Sequence, residues 1–255
     1  MTVAGAVPAV ASWREPDGIA PRGTVVVVPG RGEHAGVYER FGRRIAADGY
    51  RVWAVSDPAD DEVRVSAQIS ALLDAEPSAE ADATGPRPRV LVGSDSGALF
   101  AAGVVAAGEA DVAGLVLAGM PIEAGSVAGL SWDDELGVRT ACPTHRGRLT
   151  GDDAVRRGAL AEPVPAEWFA RARPAAIGVP VLGVHGGADA VSPLAGVRPW
   201  YAQVPSAELV SIADGRHDAL NDQTHRTAAA TVVLFLERLR LGADAPELAR
   251  TEVLR

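Results

Sequence analysis

The stretch RVLVGSDSGALFAAGVVAAG, residues 89–108, decides the fold. A run of Val and Leu enters Gly93, turns through Ser94, Asp95 and Ser96, and leaves through Gly97 into a segment built mostly of Ala, Gly and Val. This is the pattern of a sharp strand-to-helix turn, in which the positions two residues either side of the apex have no room for side chains. The glycines set the frame. With Ser94 at the apex they would fall at Val92 and Ser96, and with Ser96 at the apex they would fall at Ser94 and Ala98. The apex is therefore Asp95. An aspartate that only caps the next helix explains the turn taken alone, so the rest of the chain has to decide.

Outward from this turn, short apolar runs alternate with segments of helical length, the rhythm of a mostly parallel sheet covered by helices on both faces. The spacing predicts strands at 24–29, 50–56, 89–94, 112–118, 179–185 and 208–213, rich enough in Val and Leu to be buried on both sides. It predicts helices at 37–48, 63–75, 96–107, 194–203 and 222–241, a polar loop at Glu76–Pro88 and a frayed tail after Leu241. Between 121 and 176 the rhythm stops. That segment is too long for an ordinary connection, and the expected division is a core of 1–120 and 177–255 with a lid at 121–176 over the carboxyl ends of the strands.

Composition narrows the function classes. The chain has 255 residues, 47% of them hydrophobic, and a net charge of −9, which argues against nucleic acid and anionic membrane surfaces as partners. All 24 basic residues are arginine, excluding chemistry that needs a lysine, such as a P-loop or a Schiff base. The single cysteine, Cys142, allows no intrachain disulfide and fits a reducing compartment. Met1–Trp13 lacks the basic start of a secretory leader, and no apolar run approaches the ~20 residues of a membrane span. The expectation is a cytoplasmic protein without cofactor or metal, acting on a small molecule with an apolar part, with a homodimer compatible.

Two further segments repeat the logic of the first. In VPVLGVHGGADAVSP a strand leads to a loop carrying Asp189, and in ELVSIADGRHDALND the last strand leads to a loop carrying His217. Apex, acid and histidine each stand just past a strand end, in the chain order Asp95, Asp189, His217. The strand before PGRGEHAG, residues 29–36, ends in a glycine turn whose amides can face the same site. With Pro29-Gly30-Arg31-Gly32-Glu33-His34 and His217-Asp218-Ala219-Leu220-Asn221-Asp222, the chain resembles the monoglyceride-lipase and lysophospholipase-like branch of the α/β-hydrolase superfamily. That branch carries His-Gly-x-Gly-Glu-His and His-Glu-x-x-Asn-Glu at these places. The resemblance covers the core strands and fades in the lid. It implies an α/β-hydrolase fold and an oxyanion hole made by the backbone amides of Arg31 and Ser96. Pro29 departs from the branch's histidine and Asp95 from its serine.

An aspartate at the apex changes the chemistry. A carboxylate is already ionised at neutral pH and attacks esters poorly, because the product is an anhydride, but it suits displacement at an epoxide or carbon–halogen bond. His217, oriented by Asp189, can then activate water against the alkyl ester on Asp95. Epoxide hydrolases and haloalkane dehalogenases resemble the chain in using such an aspartate, although theirs is usually followed by an aromatic residue rather than Ser96. Alternatives are Asp95 as a general base for an ester, thioester or lactone, and a lyase or ligand-binding protein on the same fold.

Secondary candidates are Glu123 as reserve partner of His217, the indoles of Trp132 and Trp168 as halide donors, and His145 or Arg146 as an acid or clamp. Arg139, Arg146 and Arg148 would form a positive rim, and Cys142 with His145 lacks the second pair of a zinc site. The tyrosines, Tyr38, Tyr50 and Tyr201, fall outside the lid. A rival pattern, Gly30-x-Gly32-x-x-Ala35 with Asp57 past the next strand, fits a dinucleotide fingerprint but leaves Asp95, Asp189 and His217 unexplained.

Overall fold

The computed structural model describes residues 10–74, 86–123, 127, 129–242 and 248. Most of the expected polar loop and the tail after Leu241 lie outside them. In chain order the elements are β1 (Ala11–Trp13), β2 (Thr24–Val28), α1 (Glu39–Ala47), β3 (Arg51–Ala54), α2 (Glu62–Asp74), β4 (Arg89–Ser94) and α3 (Ser96–Ala106). There follow β5 (Gly114–Ala118), α4 (Trp132–Arg139), α5 (Pro143–Thr150), α6 (Ala166–Arg171), β6 (Val181–Gly186), α7 (Leu194–Tyr201), β7 (Ala207–Ile212) and α8 (His225–Leu241).

The strands form one seven-stranded sheet in the order β1-β3-β2-β4-β5-β6-β7, parallel except for β1, which runs antiparallel to β3 at one edge. The six expected strands are all present, shortened by a residue or two at several ends. β1 is an addition: three residues are too few for alternation to be visible. The expected first helix divides into a 3₁₀ turn at Ala35–Tyr38 and α1, and the last begins at His225 instead of residue 222.

Alternation along the strands builds the two layers. Val25, Val27, Val90, Val92 and Val116 face a core closed by Phe41 and Ile45 of α1 and by Phe235 and Leu236 of α8. Val26, Val28, Leu91, Leu115 and Leu117 face the opposite core, closed by Ile69 of α2, Leu99 and Phe100 of α3, and Tyr201 of α7. Every residue of α3 is buried, which its Ala and Gly content permits. α6 of the inserted stretch also packs there, with the Trp168 ring 5.1 Å from that of Phe100. The parallel strands thus deliver three loops, after β4, β6 and β7, to one end of the sheet.

Candidate active site

The turn after β4 has the shape its glycines predict. Asp95 sits at φ 47° and ψ −124°, backbone that a side chain rarely adopts. A Cβ on Gly97 would stand 2.2 Å from the Pro29 carbonyl oxygen, and one on Gly93 would stand 2.4 Å from Gly97 O and from Ala98 Cα. The Asp95 amide donates to Ala118 O on β5 at 2.9 Å, and Asp95 O accepts from Ala98 N as α3 begins. Strain at the apex is held by contacts on three sides.

Asp95, His217 and Asp189 come together. His217 Nε2 lies 3.1 Å from Asp95 Oδ1, as an ion-pair contact out of line for a hydrogen bond. Its Nδ1 lies 2.9 Å from Asp189 Oδ2. Asp189 is fixed in turn, its Oδ1 accepting from the amides of Val191 and Ser192 and its Oδ2 facing His185 Nε2 at 3.2 Å. The His217 loop is anchored to α4, since His217 N and Asp218 N donate to Val138 O and Arg139 O. Asp222 ties its far end by accepting from Arg216 N, Thr140 Oγ1 and Ala141 N. These bonds give the motif at 217–222 a structural use besides its histidine.

Arg31 is the residue whose role the sequence understates. Its main-chain N–H donates to Asp95 Oδ2 at 2.9 Å, the position expected of an oxyanion amide. Its side chain also reaches Asp95, Nε donating to Oδ2 and Nη2 to Oδ1, both at 2.9 Å. Nη1 of the same guanidinium donates to the carbonyls of Leu160 and Glu162 in the segment between β5 and β6. One side chain therefore joins the apex carboxylate to that segment. Ser96, the other expected amide donor, opens α3 directly after Asp95 and is buried.

Electrostatics follow from this packing. Burial favours the neutral form of Asp95, but the charges of Arg31 and His217 overcome it and hold the carboxyl well below the usual carboxylate range. Asp189 is likewise held far down, against its own burial, chiefly by the charge of His217. Burial would lower His217, yet Asp189 and Asp95 on either side push it up to about 10. At neutral pH the site is two cations and two carboxylates.

The secondary candidates are dispersed. Trp168 Nε1 donates to Glu62 Oε2 at 2.9 Å, so its N–H is committed away from a halide. Trp132 is half-buried, stacked under the Arg157 guanidinium. Glu123 is exposed, while Asp189 occupies the place at His217. Arg146 is half-buried, and Arg148 faces Asp152 and Gly36 O on the surface. Arg139, expected on a positive rim, is instead 1% exposed, bonded to Glu135 and to Arg31 O. His145 is also buried, 2.9 Å from Asp218 Oδ2, and Glu33 completes this second group at 3.9 Å. A charged residue on a short helix reads as solvent-facing when the segments that cover it, here those carrying Arg31 and Asp218, lie far along the chain.

Glu33, His145 and Asp218 are the described residues that could hold a cation, their ligand atoms all within 4.8 Å. Arg139 Nη1, 3.7 Å from Asp218, already brings positive charge there. Cys142 takes no part, its Sγ accepting from Arg40. The dinucleotide pattern also dissolves: Asp57 accepts from Gly32 N and Ala59 N and faces Arg156, which occupies the groups meant for phosphate and ribose.

No protein-family model matches the sequence, and no curated protein is similar to it. Solved structures are. The monoacylglycerol lipase of Paleococcus ferrophilus superposes with a TM-score of 0.70 at 19% identity, covering 89% of this chain and 97% of that one. A soluble variant of the Saccharomyces cerevisiae monoglyceride lipase, bound to a substrate analogue, gives 0.73 at 16%, covering 91% of each. The enol-lactonase of Burkholderia xenovorans gives 0.59 at 16%, covering 90% and 96%. The chain has the α/β-hydrolase fold. At these identities the likeness concerns architecture, and within it Asp95 occupies the turn after the central strand, with Asp189 and His217 at the ends of β6 and β7.

Proposed function

We propose that this α/β-hydrolase-fold protein is a hydrolase working through a covalent ester on Asp95. Oδ1 displaces a leaving group at an sp³ carbon, and water activated by His217 then attacks the Asp95 carboxyl carbon. The observation that carries this reading is the position of Asp95 Oδ2, which already accepts the Arg31 main-chain N–H and Nε, both at 2.9 Å. When the ester is hydrolysed, negative charge develops on that same oxygen, between donors that need no reorganisation. Ser96 N is assigned as the companion amide.

The charges support a division of labour for His217. Between two ionised carboxylates it is an imidazolium and cannot serve as a base. Esterification removes the charge of Asp95, so its affinity for the proton falls and the neutral ring becomes available for the second step. The 121–176 segment is assigned as the lid, on the strength of the Leu160 and Glu162 carbonyls that cover Arg31. A small substrate with an apolar part fits the lipase neighbours.

A single turnover in ¹⁸O-water tests the mechanism. Label is expected in the peptide containing Asp95. Label confined to product would instead assign Asp95 as a general base in an ester or lactone hydrolase.

A further inference from the structure

Both Asp95 oxygens lie against cations. Oδ2 holds two Arg31 donors, while Oδ1 faces Arg31 Nη2 at 2.9 Å and His217 Nε2 at 3.1 Å. Attack through Oδ1 draws it out of its hydrogen bond with Arg31 and away from the His217 imidazolium. Removing one partner of a buried charge pair is costly unless something replaces it. An incoming group releases Oδ1 cheaply only if it offers the cations another acceptor.

We propose that the substrate is an epoxide whose ring oxygen displaces Asp95 Oδ1 from Arg31 Nη2 and His217 Nε2, and that His217 is the proton donor to that oxygen. The inference rests on the covalent reading above and adds the substrate class and the acid. Oδ1 forms the new C–O bond as the epoxide C–O bond breaks. The ring oxygen, stabilised by the guanidinium, takes the Nε2 proton, giving a hydroxyl and neutral His217. His217 next takes a proton from water as the water oxygen adds to Cγ, with charge on Oδ2. Collapse breaks Cγ–Oδ1, the departing diol oxygen receives the proton from His217, and the Asp95 carboxylic acid returns its own proton to the imidazole. One water is consumed and every proton is accounted for.

Three features favour this assignment over a halide. Carbon-bound halogen is a poor hydrogen-bond acceptor, and cannot stand in for a carboxylate oxygen between two N–H donors. The Trp168 indole is already bonded to Glu62. The hydroxyls of Tyr38, Tyr50 and Tyr201 already donate to Glu33, Glu237 and Leu117 O, leaving ring-oxygen protonation to another group. Arg31 cannot give up a proton at any ordinary pH, so His217 is the donor. The titratable and charged groups around it are Asp95 and Asp189 in contact, Arg31 and His185 beyond them, and Glu135 and Arg139 behind Arg31.

The test uses styrene oxide and 2-phenylethyl bromide, which share a skeleton but need a proton donor in one case only. Adducts on the Asp95 peptide are timed by mass spectrometry in the wild type and in His217→Gln. We expect the variant to be alkylated by the bromide at a rate within about tenfold of wild type, but by the epoxide at least ~100-fold more slowly, the usual worth of a positioned acid. Equal loss or equal retention with both probes would overturn the role of His217. The wild type gives an independent measurement: alkylation by the epoxide should fall as pH rises through about 10, where His217 loses its proton. A flat profile would also overturn it. Failure of the covalent reading looks different, as diol formation from styrene oxide in ¹⁸O-water with no label in the Asp95 peptide.

Discussion

Two buried charge groups stand side by side, and they are balanced differently. Around Asp95, each carboxylate has a cation: Arg31 and His217 for Asp95, His217 for Asp189. Around Glu33 the carboxyls of Glu33, Asp218 and Glu135 share the single permanent cation Arg139. The same two chain segments build both, since Arg31 and Glu33 lie two residues apart and His217 adjoins Asp218. Where charges match, the acids stay ionised and the groups are locked. Where acid is in excess, a proton is kept: burial and the charge of Asp218 push Glu33 up to about 7, and its Oε1 has no hydrogen-bond partner. Tyr38 donates to its other oxygen.

Removing the apex acid should have the largest effect. Asp95→Asn is expected to lower turnover by ~10⁴-fold or more, as loss of a nucleophile does, measured on whichever epoxide the wild type accepts. Retained turnover would break the assignment of the balanced group as the reacting one. The same change strands Arg31 and His217, costing about 3–5 kcal/mol in urea unfolding.

The counterpart in the second group is Arg139→Met. It leaves Glu135 and Asp218 buried without their cation, again at about 3–5 kcal/mol. A loss below ~1 kcal/mol would mean that protons, not Arg139, neutralise that group.

Acid–base behaviour sharpens the contrast. Because the folded state raises Glu33 from 4.5 to about 7, it holds a proton that the unfolded chain has released in that window, so this group's contribution falls as pH rises through it. The size is roughly 3 kcal/mol, from about 1.4 kcal/mol per pH unit. Glu33→Gln should flatten this slope in pH-dependent urea titrations. Asp95 and Asp189, both depressed, act oppositely: their contribution is complete above 3.8 and is lost as pH falls below it. A wild-type profile with no decline between 4.5 and 7 would erase the difference between the two groups.

The smallest expected effect lies outside both. Trp168→Phe keeps the packing on Phe100 but removes the bond to Glu62, at about 1 kcal/mol. Since it touches neither group, it should leave the pH dependence of stability unchanged, which calibrates the other measurements.

The difference between the groups also marks how far the sequence could be read. The apex, the acid and the histidine were legible because each sits just past an apolar run, and because Gly93 and Gly97 allow one frame only. The parallel strands were legible from their Val and Leu content. Arg31 was visible as an amide in a glycine turn, but its side chain pairs with a carboxylate 64 positions away, and no local pattern encodes that contact. The burial of His145 was hidden for the same reason, while Arg139 with Glu135 four residues before it reads as an ordinary surface ion pair. His185 left one hint, as a lone imidazole in an otherwise apolar strand, where a buried polar group demands a partner. β1 left none, having only three residues.

The absence of lysine gains a meaning from the interior. Among the described residues, the two buried side-chain cations that never titrate, Arg31 and Arg139, are guanidinium groups. An enclosed ammonium can shed its proton and become neutral, whereas a guanidinium cannot. The fixed positive scaffold is therefore immune to pH, and every adjustment of interior charge has to pass through a carboxyl or an imidazole. In the proposed turnover the protein's own proton carriers are thus carboxyls and imidazoles held against two immobile charges.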